Sequence, residues 1–161
     1  MIRTPSLELV PATAQHCQAL AVSLDAFSRV IGADVAEGWP TFPESVPRDA
    51  GPAPWATYFF IQAADRVTVG SGGFKGPPTD GTVEIGYEIA PGYRRRGLGT
   101  EAAAGLVVFA FDHHDVNAVL AHTLAQPGPS PALLRTMGFE LVQELTDPEE
   151  GPVWQWRFER R

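Results

Sequence analysis

Residues 83–111, VEIGYEIAPGYRRRGLGTEAAAGLVVFAF, read as a strand, a turn, a basic glycine-rich loop and a helix. Val83, Ile85, Tyr87 and Ile89 alternate with Glu84, Gly86 and Glu88, the period of a strand with one buried face. Pro91-Gly92 ends the strand. After Arg94-Arg95-Arg96-Gly97-Leu98-Gly99, the run from Thr100 to Phe111 is apolar on nearly every side, which predicts a helix buried over most of its circumference.

A junction of this kind suits an anion. A helix start leaves backbone N–H groups unpaired and carries roughly half a positive charge. Gly97 and Gly99 have no Cβ to keep a phosphate from the backbone, and three arginines add forked cationic donors. Glu101 suits the first helical turn but has to point away from a phosphate. The same residues also fit a solvated basic turn capping a core helix. Two other phosphate motifs fail. No Gly-Lys-Ser/Thr is present, so the P-loop lysine is missing. Gly97-x-Gly99-x-x-Ala102 matches the dinucleotide fingerprint on paper. However, seven residues separate Ile89 from Gly97, and the following strand carries no acid.

The pattern Arg94-x-x-Gly97-x-Gly99 between a strand and a helix resembles the coenzyme A loop of the GCN5-related N-acetyltransferases. Residues 130–139, SPALLRTMGF, are similar to that family's last helix running into Gly-Phe and a strand. With Glu84-Ile-Gly-Tyr87 and Thr100-Glu101-Ala102, the likeness is to the branch containing ribosomal-protein N-terminal acetyltransferases, and it spans Val83 to Leu145. The resemblance implies one α/β (α+β) domain over residues 1–161. Its mixed, mostly antiparallel sheet would have about seven strands, with a central parallel pair that splays and helices on both faces.

The resemblance also implies a site. Acetyl-coenzyme A would lie in the splay, with its pyrophosphate on the backbone of Arg96, Gly97, Leu98, Gly99 and Thr100 and side-chain help from Arg94 and Arg95. The backbone N–H of Ile89 would face the thioester oxygen. Glu84 is the first candidate for the base and Glu88 the second, and either carboxylate could instead hold an incoming ammonium. Ser130 would meet the coenzyme A sulfur. Trp39 and Phe42 would wall the acceptor. Two positions depart from the pattern: Leu134 stands where many members carry a Tyr, and Pro127 where the branch has an Asn. The implied reaction is direct acetyl transfer to a primary amine, a protein N-terminus or a small amine. The alternative is a coenzyme A-binding regulatory module without catalysis.

Composition agrees with one domain. The 161 residues are 44% hydrophobic, and the net charge of −7 argues against a nucleic-acid partner. A lone Cys17 rules out an internal disulfide, and no apolar run has membrane-spanning length, which points to the cytoplasm without a membrane partner. Asp112, His113, His114 and Asp115 are adjacent in sequence and so do not converge on a metal if helical. No metal is expected.

The remaining elements follow from period and punctuation. Leu7 to Pro11 reads as a strand, and Thr13 to Phe27 as a helix with Cys17 on its apolar face. Residues 28–54 hold Trp39, Phe42 and five prolines in no clear pattern. Thr57 to Gln62 and Val67 to Lys75 form a hairpin, and Gly70, Gly72 and Gly73 mark a bulge or a close backbone approach. Asn117 to Thr123 is a strand parallel to the central one, with His122 a structural histidine. Ser130 caps the next helix with Pro131 at its first position. Phe139 to Leu145 and Val153 to Phe158 close the chain as a hairpin. Its Trp154, Trp156 and Phe158 stripe is either core or a homodimer surface.

Overall fold

A computed structural model describes residues 1–160. The chain opens with β1 (Ile2–Arg3), β2 (Leu7–Pro11), α1 (Ala14–Val22), α2 (Leu24–Ile31) and β3 (Asp34–Val35). The hairpin β4 (Thr57–Gln62) and β5 (Val67–Phe74) leads to β6 (Thr82–Ile89), α3 (Leu98–Phe111) and β7 (Ala118–Leu124). It ends with α4 (Pro129–Met137), β8 (Glu140–Asp147) and β9 (Gly151–Glu159). One sheet runs β1-β2-β4-β5-β6-β7-β9-β8, with β3 beside β5. The β6–β7 and β3–β5 pairs are parallel and the rest antiparallel. The expected seven strands become nine because β1 and β3, two residues each, are too short to leave a periodic signal.

The parallel pair opens as it rises. β6 and β7 are in register from Thr82↔Ala118 to Ile85↔Ala121 and then part. β6 stays with β5 up to Gly70↔Ile89, and β7 stays with β9 up to Leu124↔Val153. Tyr87 and Ile89 therefore lie beyond the last β7 rung, at the edge of the opening.

Each face of the sheet carries its own core. Tyr58, Phe60, Ile85, Leu106, Leu134 and Trp156 pack under α3 and α4. Phe27, Trp39 and Phe59 pack under α1 and α2. Trp156 is fully buried, so the aromatic stripe of the last hairpin belongs to the core. The glycines of β5 allow close backbone approach. A Cβ on Gly72 would stand 2.2 Å from the Gly86 carbonyl oxygen, and one on Gly70 2.2 Å from that of Glu88. The β4–β5 register shifts between Phe60 and Ile61, beside Gly70, so the bulge is there too.

Three helix boundaries differ from the sequence expectation. The helix expected over Thr13–Phe27 breaks at Ser23, which is extended and caps α2 by accepting from the Ala26 N–H at 3.0 Å. α3 starts at Leu98 rather than Thr100. α4 starts at Pro129 after Gly128, which puts Ser130 inside the first turn rather than at the cap. Among the described residues no helix is long and apolar enough to cross a membrane.

Candidate active site

The loop between β6 and α3 has two residues in the left-handed region, Arg95 at φ +65° and Gly97 at φ +78°. Gly97 caps α3, and a Cβ placed on it would meet nothing within 4 Å. The space over the helix start is open, and glycine is needed there for its φ. Gly99 has another purpose: a Cβ there would meet Leu133 at 3.3 Å and Ile89 at 3.7 Å, so it lets α3 pack on β6 and α4. The first α3 N–H with an intrahelical partner is that of Glu101, to the Gly97 carbonyl at 3.0 Å. The N–H groups of Leu98, Gly99 and Thr100 lie before it and make an anion cradle.

Glu101 does point away from that cradle. Its carboxylate accepts from the Ser6 N–H at 2.9 Å, from the Ser6 hydroxyl at 2.8 Å and from the Thr4 hydroxyl. Partial burial pushes this carboxyl up, but the hydrogen bonds from Thr4 and Ser6 outweigh that and hold it below its ordinary value.

The three arginines are all exposed, and their contacts differ. Arg94 Nε donates to the Ile89 carbonyl oxygen at 3.0 Å and Nη2 donates to Thr41 Oγ1 at 3.3 Å, which makes it a clamp. Arg96 lies 4.8 Å over the Tyr93 ring. Arg95 extends from a left-handed residue.

On β6 the Ala90 N–H donates to the Val69 carbonyl at 2.8 Å, toward β5. Strand alternation turns the backbone groups of Ile89 and Tyr87 the other way, into the opening. With the Ile89 oxygen engaged by Arg94, the Ile89 N–H is left facing the splay.

The carboxylates of β6 separate by role. Glu88, next to Ile89, accepts from the Thr41 N–H at 3.2 Å and from the Ser45 hydroxyl at 2.8 Å, which ties residues 41–45 to the strand. Phe42, between those anchors, is 55% exposed. Trp39 is 2% exposed, packs on Phe27 and Phe59, and donates its indole N–H to Ser71 Oγ at 3.0 Å. It therefore sits in the core behind the site, a correction to its expected place as an open wall.

Glu84 lies five residues before Ile89, about 16 Å along the strand. Its Oε2 accepts from Lys75 Nζ at 2.8 Å and from His122 Nδ1 at 3.0 Å. His122 Nε2 meets Gln155 Nε2 at 3.2 Å, and Gln155 Oε1 accepts from Gln143 at 2.7 Å. This row assigns the imidazole hydrogen to Nδ1.

On the helix side of the opening, the Tyr87 hydroxyl is buried without a hydrogen-bond partner among the described residues. Burial raises it to about 12, and the Ser130 hydroxyl, close enough to act on it, holds back part of the rise. Leu134 is fully buried in the core. Cys17 is buried as well, and burial followed by the charge of Asp49 disfavours its thiolate. Thr41, Ser45 and Tyr87 escaped sequence reading. The first two lie in the irregular segment, and Tyr87 reads as an ordinary buried strand residue.

A family model described as an acetyltransferase (GNAT) domain matches residues 6–140. An uncharacterized N-acetyltransferase, YjdG of Bacillus subtilis, is 28% identical over 109 residues, 67% of this chain, and the match spans 65% of that relative's length. Among solved structures, the microcin C7 self-immunity acetyltransferase MccE, in complex with acetyl-CoA and AMP, superposes with a TM-score of 0.71 at 16% identity, covering 97% of this chain and 93% of its own. RimL, a ribosomal L7/L12 alpha-N-protein acetyltransferase in complex with coenzyme A, gives 0.70 at 16% identity, with 97% and 95% covered. At these identities the structural likeness concerns the fold.

Proposed function

We propose, on the premise that the chain belongs to the GNAT acetyltransferase family, that it transfers an acetyl group from acetyl-coenzyme A directly to a primary amine, either a protein N-terminus or a small amine. The observation that carries this reading is a coincidence in one opening. The left-handed Gly97 cap with free space above it is two residues from Gly99, where a Cβ would stand 3.7 Å from Ile89, the residue whose N–H faces the splay. The residues fit the cofactor. The N–H groups of Leu98 to Thr100 take the pyrophosphate, Arg95 and Arg96 add charge, and Glu101 is held away.

Acetyl-coenzyme A supplies an activated acetyl group as a thioester. The Ile89 N–H donates to the carbonyl oxygen where negative charge grows. Glu88 is the better placed of the two carboxylates to receive the proton of the amine, directly or through a water. It adjoins Ile89, whereas Glu84 is about 16 Å down the strand. Ser130 hydrogen-bonds the departing sulfur. Phe42 and the hydroxyl-bearing segment beside it line the acceptor side. The setting is the cytoplasm, supported by the single buried cysteine. A homodimer would use the free edge of β8, where Leu141, Val142 and Leu145 are exposed.

Calorimetry with acetyl-coenzyme A on wild type and Gly97→Glu tests the site. Binding in wild type and at least about a 100-fold loss in the variant, ~2.7 kcal/mol, is expected. A well-folded wild type without affinity overturns the enzyme reading. Binding with no turnover over a panel of amines favours the coenzyme A-binding regulatory module.

A further inference from the structure

The end of β6 carries a closed ring of contacts. Arg94 Nε donates to the Ile89 carbonyl oxygen at 3.0 Å, and Arg94 Nη2 donates to Thr41 Oγ1 at 3.3 Å. The Thr41 N–H donates to Glu88 Oε2 at 3.2 Å, and Glu88 precedes Ile89 in the chain. A single 3-10 turn, Pro91–Tyr93, closes the ring: its Tyr93 N–H donates to the Ala90 carbonyl at 2.9 Å, and the chain folds Arg94 back onto the strand it has just left. The ring stands where β7 has parted from β6. In a strand the N–H and C=O of one residue point to the same side, so a strand beside Ile89 would take both groups. Arg94 takes the carbonyl and leaves the N–H open. It spends on this its Nε–Nη2 edge, a pair of donors that could otherwise fork onto two phosphate oxygens.

We infer that Arg94 is a positioning residue for the oxyanion donor rather than a phosphate ligand: it stands in for the missing strand partner of Ile89, keeps the Ile89 N–H aimed at the acetyl carbonyl oxygen, and through Thr41 ties that aim to the segment held by Glu88. The inference rests on the acetyltransferase reading of the site. On the β5 side the strand end is fixed, since the Ala90 N–H donates to the Val69 carbonyl at 2.8 Å. On the splay side no strand fixes it. A peptide plane held from one side can tilt, and a donor that tilts loses its alignment with the oxygen where charge grows. Arg94 supplies the second hold without covering the N–H. Thr41 anchors the far end of the guanidinium, and its own N–H binds Glu88, so the donor and the carboxylate are set by one framework. Ile89 touches the acetyl group and Arg94 acts through it.

The test compares acetyl-coenzyme A with S-ethyl-coenzyme A, which lacks only the carbonyl oxygen, by calorimetry on wild type, Arg94→Met, Thr41→Val and the double variant. Wild type should bind acetyl-coenzyme A about fivefold to tenfold tighter, the size of one hydrogen bond. Methionine keeps an unbranched stem and removes every donor. Arg94→Met should therefore lose most of the preference by weakening acetyl-coenzyme A alone. Its unchanged affinity for S-ethyl-coenzyme A would also show that the variant is folded. Thr41→Val should lose part of the preference and add nothing in the Arg94→Met background. A phosphate contact predicts a different pattern, because both ligands carry the pyrophosphate and would weaken alike. Equal weakening of the two ligands, a preference that survives Arg94→Met, or additive losses overturns the inference and leaves the acetyltransferase reading intact. So does a wild type that binds the two ligands alike. A wild type that binds neither overturns both.

Discussion

Glu84 Oε2 accepts a hydrogen bond from His122 Nδ1 at 3.0 Å across the parallel β6–β7 pair, while Lys75 Nζ approaches the same oxygen at 2.8 Å. Glu88 is held by two donors as well, the Thr41 N–H and the Ser45 hydroxyl, so the two carboxylates differ in position: Glu84 stands at the closed end of the splay and Glu88 at the open end. Replacing each by Gln should separate them. With saturating acetyl-coenzyme A and a reactive amine, Glu88→Gln should lower the initial rate about 100-fold, the scale of a lost general base, and Glu84→Gln less than about tenfold. The reverse order would return the base to Glu84.

Glu101 gives the fold an acid-sensitive tie. Its folded carboxyl sits below the ordinary 4.5 because the Thr4 and Ser6 hydrogen bonds outweigh the effect of burial. The stability it contributes is therefore complete above 4.5 and fades as pH falls through the lower folded value. Urea unfolding should show Glu101→Gln weaker than wild type at pH 7, by on the order of 1 kcal/mol. The two should converge as pH falls below 4.5 through the lower folded value. A gap that persists in acid would place the tie elsewhere.

His16 closes the α1 capping box in an unusual way. The Thr13 N–H donates to its Nδ1 at 3.1 Å, and its own N–H donates to Thr13 Oγ1 at 3.1 Å. Burial lowers the imidazole below 6.5, and the box needs Nδ1 without a proton. Its contribution is whole above 6.5 and is lost as pH falls below 6.5 toward the lower folded value. His16→Gln keeps an acceptor at the same position without titrating. Its unfolding midpoint should change less between pH 7 and pH 5 than that of wild type.

Gly72→Ala places a methyl 2.2 Å from the Gly86 oxygen and 2.5 Å from Tyr87 Cα, both backbone atoms of β6. No side-chain rotation relieves that contact. Chemical denaturation should show a loss of about 3 kcal/mol. Gly76→Ala, where a Cβ meets nothing within 4 Å, should cost less despite its positive φ. Equal losses would mean that the strands are not this close.

The strand–loop–helix core and the glycine thinning of β5 were legible because period, turn residues and missing Cβ atoms are local signals. The break at Ser23 was not, since Ala14 to Ile31 stays apolar at helical spacing and the decision falls to one serine hydroxyl. Gly97 and Gly99 look alike in sequence, yet only the packing of Leu133 against Gly99 shows that the two serve different ends. Trp39 resembled a wall because burial in an irregular segment leaves no periodic trace; the Ser71 hydroxyl fixes it inside. The choice between Glu84 and Glu88 depends on which strand end splays, and that is set by β7 and β9 far along the chain.

Arg94 joins the Ile89 carbonyl to Thr41, so β6 and the segment to which the proposed function gives the acceptor share one side chain. The segment is consequently not an exchangeable module. A graft of residues 36–54 from a relative would carry a new specificity only if it also brought a hydroxyl to position 41. Without one, the graft would loosen the end of β6 as well as the segment it was meant to redesign.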